Sequence, residues 1–154
     1  MNHFVVAIGR EFGAQGCDIA EKLAEKLGVK LYDRQLVEEA AKKLEMDEHT
    51  VQKADEVSAK DIEGLKTTYG IGNFYLSTQV LDAQADIIER VAQNESCIIM
   101  GRCADYILRS RPDVLRVFVY ADRDIRLRRA IDEYGDLEEH IDEFMHQTLS
   151  LIHI

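Results

Sequence analysis

A short apolar run opens the chain, and the segment after it has apolar positions at helical spacing. Residues 3–8 are mostly apolar and end at a glycine-bearing turn, which is typical of a buried strand. From Asp18, apolar residues recur at every third or fourth position until Gly28, a residue type that commonly ends helices. Residues 29–32 predict a second strand. Strand, glycine-rich turn, helix and strand indicate a parallel α/β domain with a right-handed crossover.

The middle of the chain has a mostly helical pattern. One predicted helix starts at Asp33, and a polar stretch follows as far as Lys66. The weak apolar periodicity of that stretch predicts either a surface helical arm or a mobile lid. Residues 67–73 predict a loop, and a long helix follows, with its apolar positions between Leu76 and Val91.

The last part of the chain predicts two more strands and two more helices. The strands cover residues 96–100 and 115–120, and the helices cover residues 122–133 and 136–149. Residues 149–154 lack a helix-stop signal and have the character of a non-native tail. We therefore expect one domain over residues 1–148, truncated at its C-terminus. Such a truncation would leave the fourth strand as an edge with unpaired backbone groups.

Composition narrows the class of protein. A chain of 154 residues, 46% hydrophobic and 31% charged, has the balance of one globular domain. The formal net charge of −10 argues against a general binder of nucleic acid or anionic membranes, since both require a positive surface field. No apolar run approaches the roughly 18 residues of a membrane span. The N-terminus also lacks the basic and long apolar regions of a signal peptide.

Cysteine and histidine spacing indicates neither disulfides nor a metal site. The three cysteines are an odd number without close pairs, and the five histidines form no pair at i,i+3 or i,i+4 spacing. We therefore expect no protein-bound metal cluster and a reducing, cytoplasmic compartment.

The turn between the first strand and the first helix is a candidate phosphate-binding loop. Gly9–Asp18 reads GREFGAQGCD, and its small residues allow backbone N–H groups to converge on a phosphate at a helix N-terminus. The same residues also suit an ordinary strand-to-helix turn. In the G-x-x-x-x-G-K-[ST] pattern, Gly16 would stand at the lysine position, and Cys17 and Asp18 lie near the hydroxyl position. Arg10 is the nearest cation that could replace the lysine.

Two more candidate sites follow the second and third strands. Asp33 and Arg34 come after one, and Gly101 and Arg102 come after the other. Because ligands of parallel sheets bind outside the carboxyl ends of the strands, these residues should face one crevice with the loop. Asp33 could instead cap a helix, and Arg102 could form only a surface salt bridge. However, an arginine that follows a glycine at the end of a strand is well placed to donate two hydrogen bonds to one anion.

An arginine run marks the helix predicted over residues 122–133. A solvated charged face is the commoner explanation of such a run. Arg126 and Arg129 share a helix face, however, and could reach one phosphate together. Arg123 and Arg128 complete the run.

Three segments together resemble the cytidylate kinase-like family. They are residues 5–16, 31–36 and 98–108, and with residues 117–121 and the arginines after them the resemblance reaches about residue 145. It implies the fold of P-loop nucleoside monophosphate kinases, a three-layer P-loop NTPase-like α/β domain with a parallel sheet and helices on both faces. It also implies a helical acceptor-side insert at about residues 34–95, and phosphoryl transfer from MgATP to CMP or dCMP.

The resemblance further implies three groups of site residues. Donor phosphates would be held by Arg10, Gly13, Ala14, Gln15, Gly16 and Cys17. The acceptor nucleotide would be contacted by Asp33, Arg34 and Arg102. Arg102, Arg126 and Arg129 would act in catalysis, Arg102 on the acceptor phosphate and the other two on the transferring phosphates, while Mg²⁺ bridges the β- and γ-phosphates.

Two departures from the family pattern favour an alternative function. Gly16 replaces the lysine, and Cys103 replaces the aspartate of a Gly-Arg-Asp motif. The alternative is a nucleotide- or phosphate-binding regulatory protein with weak or no catalytic turnover.

Overall fold

The computed structural model describes residues 3–52 and 71–134 of the chain. The polar stretch from residue 53 to Lys66, most of the predicted loop after it, the helix predicted over residues 136–149 and the tail lie outside the described residues. Residues 48–52 are helical. The other elements, in chain order, are β1 (Val5–Arg10), α1 (Gly16–Leu27), β2 (Lys30–Tyr32), α2 (Arg34–Leu44), α3 (Ile71–Asn94), β3 (Cys97–Met100), α4 (Ala104–Ile107), β4 (Val114–Val119) and α5 (Arg123–Tyr134).

The four described strands form one parallel sheet in the order β2-β3-β1-β4. In the pairing register, Ile8 of β1 lies beside Met100 of β3, and Tyr32 of β2 lies beside Ile99. The carboxyl ends of these strands therefore share one edge of the sheet, as the sequence predicts. β4 pairs with β1 and forms the outer edge of the described sheet.

The central strands are buried on both faces, which explains their uninterrupted apolar sequence. Every residue from Val5 to Ile8 and from Cys97 to Met100 is at most 4% exposed. Val5 and Ala7 pack into a cluster with α2 and α3, whereas Val6 and Ile8 pack into a second cluster with α1. Helices thus cover both faces of the sheet, and the three-layer α/β architecture is confirmed.

One predicted boundary is wrong. Residues 71–73 were expected in a loop because they include glycine and asparagine, but α3 begins at Ile71. Once a helix is nucleated, each added residue gains a backbone hydrogen bond, so a glycine in the first turn is tolerated. Among the described helices, none has both the length and the apolar character needed to cross a membrane.

Tyr32 connects β2 to the segment that leads into β3. Its hydroxyl donates a hydrogen bond of 2.6 Å to Glu95 Oε1, and Glu95 also pairs with Lys30 at 3.4 Å. This hydrogen bond is the main cause that lowers the pKa of Glu95 below its ordinary value. Burial, followed by the same bond, raises the pKa of Tyr32 well above its own.

We expect Tyr32→Phe to raise the pKa of Glu95 towards its ordinary value. Because a lowered carboxyl pKa stabilises the fold above that ordinary value, the variant should lose about 1 kcal/mol of unfolding free energy at neutral pH. The difference from wild type should shrink as the pH falls through the folded-state pKa of Glu95. NMR titration and urea unfolding at two pH values measure both effects. An unchanged titration of Glu95 would contradict the prediction.

Candidate functional site

The β1–α1 loop, residues 11–15, turns sharply and exposes backbone donors. The Ala14 N–H donates to the Glu11 carbonyl at 3.2 Å, and Gly13 and Gln15 have φ angles of +76° and +61°. Among the described residues, no backbone carbonyl accepts a hydrogen bond from the N–H groups of Gln15, Gly16 or Cys17. These groups lie at the N-terminus of α1, the positive end of the helix dipole. The loop therefore presents unused donors to an anion.

Arg10 extends from the end of β1 across the β1–α1 loop. A Cβ added to Gly16 would lie 2.5 Å from Arg10 Cβ and 2.7 Å from its Cγ, so the aliphatic stem passes directly over Gly16. A Cβ added to Gly101 would lie 3.0 Å from Arg10 Nη1, so the guanidinium reaches the turn after β3. Both glycines make room for this arginine. The glycine at the lysine position is thus explained by the Arg10 stem that occupies the space beside it.

Within the part of the chain that the structure describes, no carboxylate forms an ion pair with Arg10. Its sequence neighbour Glu11 pairs with Arg126. Burial, and secondarily the Arg10 guanidinium, lowers the pKa of Arg102, while the charge of Asp33 raises it. Arg10 and Asp33 are therefore close enough to Arg102 for their charges to act on it. We call the region between these three side chains the crevice. Its net positive charge favours an anionic ligand.

The turn that carries Arg102 has a strained backbone. Gly101, Arg102 and Cys103 are all left-handed, with φ angles of +65°, +55° and +54°. For the two residues with a Cβ this conformation costs roughly 1–2 kcal/mol each. The Gly101 N–H donates to the Ile8 carbonyl at 2.9 Å, and the Ala104 N–H donates to the Gly101 carbonyl at 3.1 Å. Strain of this kind is concentrated at ligand-binding turns.

Cys103 does not replace the carboxylate that a Gly-Arg-Asp motif would supply. Burial, and to a lesser degree the charge of Asp105, raises the pKa of its thiol. The side chain is therefore neutral at physiological pH.

The structure separates the two residues predicted after β2. Asp33 precedes α2 but makes no side-chain capping hydrogen bond, so the capping interpretation is not supported, and its carboxylate charge acts on Arg102. Arg34 is 82% exposed and pairs with Glu38 at 3.7 Å along α2. The described contacts thus bring Asp33, but not Arg34, to the crevice.

The two arginines of α5 that share a face both meet the β1–α1 loop. Arg126 is 5% exposed, and its Nε donates to the Ala121 carbonyl at 2.9 Å and lies 3.2 Å from Glu11 Oε2. Arg129 Nη1 donates to the Gly13 carbonyl at 3.2 Å. Glu11 is the site residue that the sequence analysis missed as a partner of α5. No local pattern marks this pair, because its members come from distant parts of the chain.

The described residues provide no ready cluster of metal ligands. No group of three or more His, Cys, Asp or Glu in residues 3–52 and 71–134 could hold a metal ion. Cys17 also stands where a magnesium-binding hydroxyl would be expected. A Mg²⁺ ion at this site would therefore be held mainly by nucleotide phosphates and water, the ligands it commonly retains.

Comparisons with known proteins bear on the fold and the family of this chain. The crystal structure of an uncharacterized protein from Eubacterium ventriosum ATCC 27560 has a similar fold, with a TM-score of 0.62 and 26% identity over 94% of this chain and 70% of that one. No curated protein matches the chain significantly. The family model described as cytidylate kinase-like matches residues 5–148. The chain therefore belongs to the cytidylate kinase-like family, which supports a nucleotide-kinase-like function.

Proposed function

We propose that this protein is an ATP-dependent nucleoside monophosphate kinase that transfers the γ-phosphoryl group of ATP to CMP or dCMP. The observation that carries the proposal is the convergence of Arg10 and Arg102 beside the unused N–H groups of the β1–α1 loop. Phosphoryl transfer requires little covalent chemistry from the protein. It depends on positioning the two phosphates and neutralising their charge, which this arrangement can do.

The two sides of the crevice would bind different phosphates. On the donor side, Gly13–Cys17 would bind the β- and γ-phosphates through backbone N–H groups, and Arg10 would supply the positive charge. On the acceptor side, Arg102 would donate two hydrogen bonds to the phosphate of the monophosphate nucleotide, and Asp33 would hold Arg102 in place through its charge. Arg129, bonded to the Gly13 carbonyl, lies close enough to the loop to act on the transferring phosphate.

The family resemblance adds elements to this proposal that the described contacts do not test. Residues 34–95 would form the acceptor-side insert of a single domain over residues 1–148, and Arg34 would contact the acceptor nucleotide. Mg²⁺ bound to the phosphates would neutralise part of their negative charge. The three cysteines are free, which supports a reducing, cytoplasmic location. We propose neither nucleic acid nor membrane as a partner.

Coupled measurement of ADP tests the proposal. The purified chain is incubated with MgATP alone and with CMP, dCMP, UMP or AMP, and ATP binding is measured by calorimetry. We expect ADP to form faster when CMP or dCMP is present than with ATP alone. ADP formation that does not depend on any monophosphate would contradict the kinase proposal.

A regulatory nucleotide-binding protein is the second candidate, and it is favoured by Gly16 and Cys103. Neither residue supplies the charge that the common pattern has at its position. Tight ATP binding without monophosphate-dependent ADP formation would establish this candidate. Absence of ATP binding would contradict both.

A further inference from the structure

Three consecutive residues of the β1–α1 loop contact α5. Glu11 Oε2 lies 3.2 Å from Arg126 Nε, and the ring of Phe12 packs in a small apolar cluster around Ala130 of α5. At Gly13, an added Cβ would lie 2.8 Å from the Arg126 carbonyl oxygen, so only glycine allows this close approach. The loop and α5 therefore pack as one unit.

Arg126 is the centre of this contact, and its burial needs a physical reason. Its side chain is 6% exposed, and within the described part of the chain its Nη1 has no hydrogen-bond partner. A buried, incompletely bonded ion pair contributes little to stability, because desolvation offsets the attraction between its members. The energetic cost of Arg126 therefore points to a role other than stability.

Glu11 transmits the position of Arg126 to the loop. The Glu11 backbone N–H donates to the Val119 carbonyl at 2.9 Å, and its Oε2 accepts a weak hydrogen bond from the Ala121 N–H at 3.4 Å. The Glu11 carbonyl in turn accepts the Ala14 N–H that closes the loop turn. Displacement of the Glu11 side chain would thus displace the start of the segment whose N–H groups, at residues 15–17, have no backbone acceptor among the described residues.

We propose that Arg126 is a positioning residue that acts through Glu11 to hold the β1–α1 loop in its phosphate-binding conformation. This role rests on the proposed function and differs from the direct contact with transferring phosphates that the family resemblance implies. The guanidinium forms an ion pair with Glu11 and a hydrogen bond with the Ala121 carbonyl. Its effect therefore reaches the nucleotide through the backbone of the loop.

The test compares Arg126→Met with Arg128→Met, a matched control on the exposed side of α5. Hydrogen exchange of the ligand-free protein is measured over residues 11–14, where the N–H groups of Glu11 and Ala14 are hydrogen-bonded to the Val119 and Glu11 carbonyls. ATP and CMP affinities are measured by calorimetry. We expect Arg126→Met to speed exchange in this segment and to weaken ATP about tenfold, since small displacements of binding groups have effects of this order or larger. CMP affinity should change less than twofold, and Arg126→Lys should recover most of the ATP affinity.

Glu11→Gln provides a second test if Arg126→Met does not fold. It removes the charge that Arg126 holds but keeps a hydrogen-bonding group, and it should also speed exchange over residues 11–14. Equal exchange in Glu11→Gln and wild type, equal effects of the Arg126 and Arg128 variants, or equal losses for ATP and CMP would each overturn the proposal. Absence of ATP binding by wild type would instead contradict the proposed function. Hydrogen exchange would then decide whether Arg126 positions the loop.

Discussion

Replacing Arg102 with alanine is expected to lower kcat for CMP phosphorylation by about 100- to 1,000-fold, the usual effect of removing a charged donor from a transferring group. Arg102 lies on a left-handed turn at the carboxyl end of β3, where burial and Arg10 lower its pKa and Asp33 raises it. The charges of Arg10, on the donor side, and of Asp33, on the acceptor side, therefore both act on its guanidinium. The apparent KM for CMP should rise as well, because the same group binds the acceptor phosphate in the ground state.

The assignment of Arg102 to the acceptor side is tested by comparing the two substrates. ATP affinity, measured by calorimetry in the absence of CMP, should stay within about threefold of wild type, a difference below 1 kcal/mol. Arg109→Ala is the matched control, because Arg109 stacks on the Tyr106 ring at 4.1 Å and serves no proposed ligand. A loss of ATP affinity equal to the loss for CMP would overturn the assignment.

The fold was predictable from sequence where burial dictates residue type. β1 and β3 are buried on both faces, and only apolar residues satisfy that environment, so their runs are unbroken. α1 ends before Gly28, whose φ of +63° is a conformation that glycine adopts without strain. The start of α3 was missed because local preference for a loop at residues 71–73 is weaker than propagation of a long helix.

The placement of the candidate site residues at one edge of the sheet was also predictable, but the pairing among their side chains was not. The rule that parallel sheets bind ligands at their carboxyl edge is sufficient to bring Asp33, Arg102 and the β1–α1 loop together. The path of the Arg10 side chain over Gly16 and the ion pair between Glu11 and Arg126 depend on side-chain packing between elements. The sequence does not show which of several possible partners a charged residue will contact, so such pairs can be identified only from the structure.

The second large effect concerns the donor phosphates, and we expect Arg10→Ala to weaken ATP binding by about 10- to 100-fold. A charge-assisted hydrogen bond to phosphate contributes roughly 1.5–3 kcal/mol, and each 1.4 kcal/mol is tenfold in affinity. ADP should be weakened less if the contact is mainly to the γ-phosphate. Arg10 forms no described ion pair, so the variant should lose ligand affinity with little change in melting temperature.

Calorimetry with ATP and ADP on wild type and Arg10→Ala measures this prediction. Arg90→Ala is the control, since Arg90 is exposed on α3 and pairs with Glu39 at 2.6 Å away from the proposed ligand contacts. Unchanged ATP affinity in a folded Arg10→Ala variant would mean that the donor charge comes from another residue, of which Arg129 is the first candidate because of its bond to Gly13.

The geometry also predicts that a lysine at position 16 can act in place of Arg10 only when the whole Arg10 side chain is removed. A lysine at position 16 in the wild type would collide with the Arg10 stem, whose Cβ and Cγ lie 2.5 and 2.7 Å from where the new Cβ would be. Gly16→Lys alone should therefore lower the melting temperature and weaken ATP. Combined with Arg10→Gly, which removes both of these atoms, the same lysine should restore most of the ATP affinity that Arg10→Gly alone loses, because it returns an ammonium to the usual phosphate-loop position. If the double variant binds ATP no better than Arg10→Gly, then Arg10 does not replace the missing lysine.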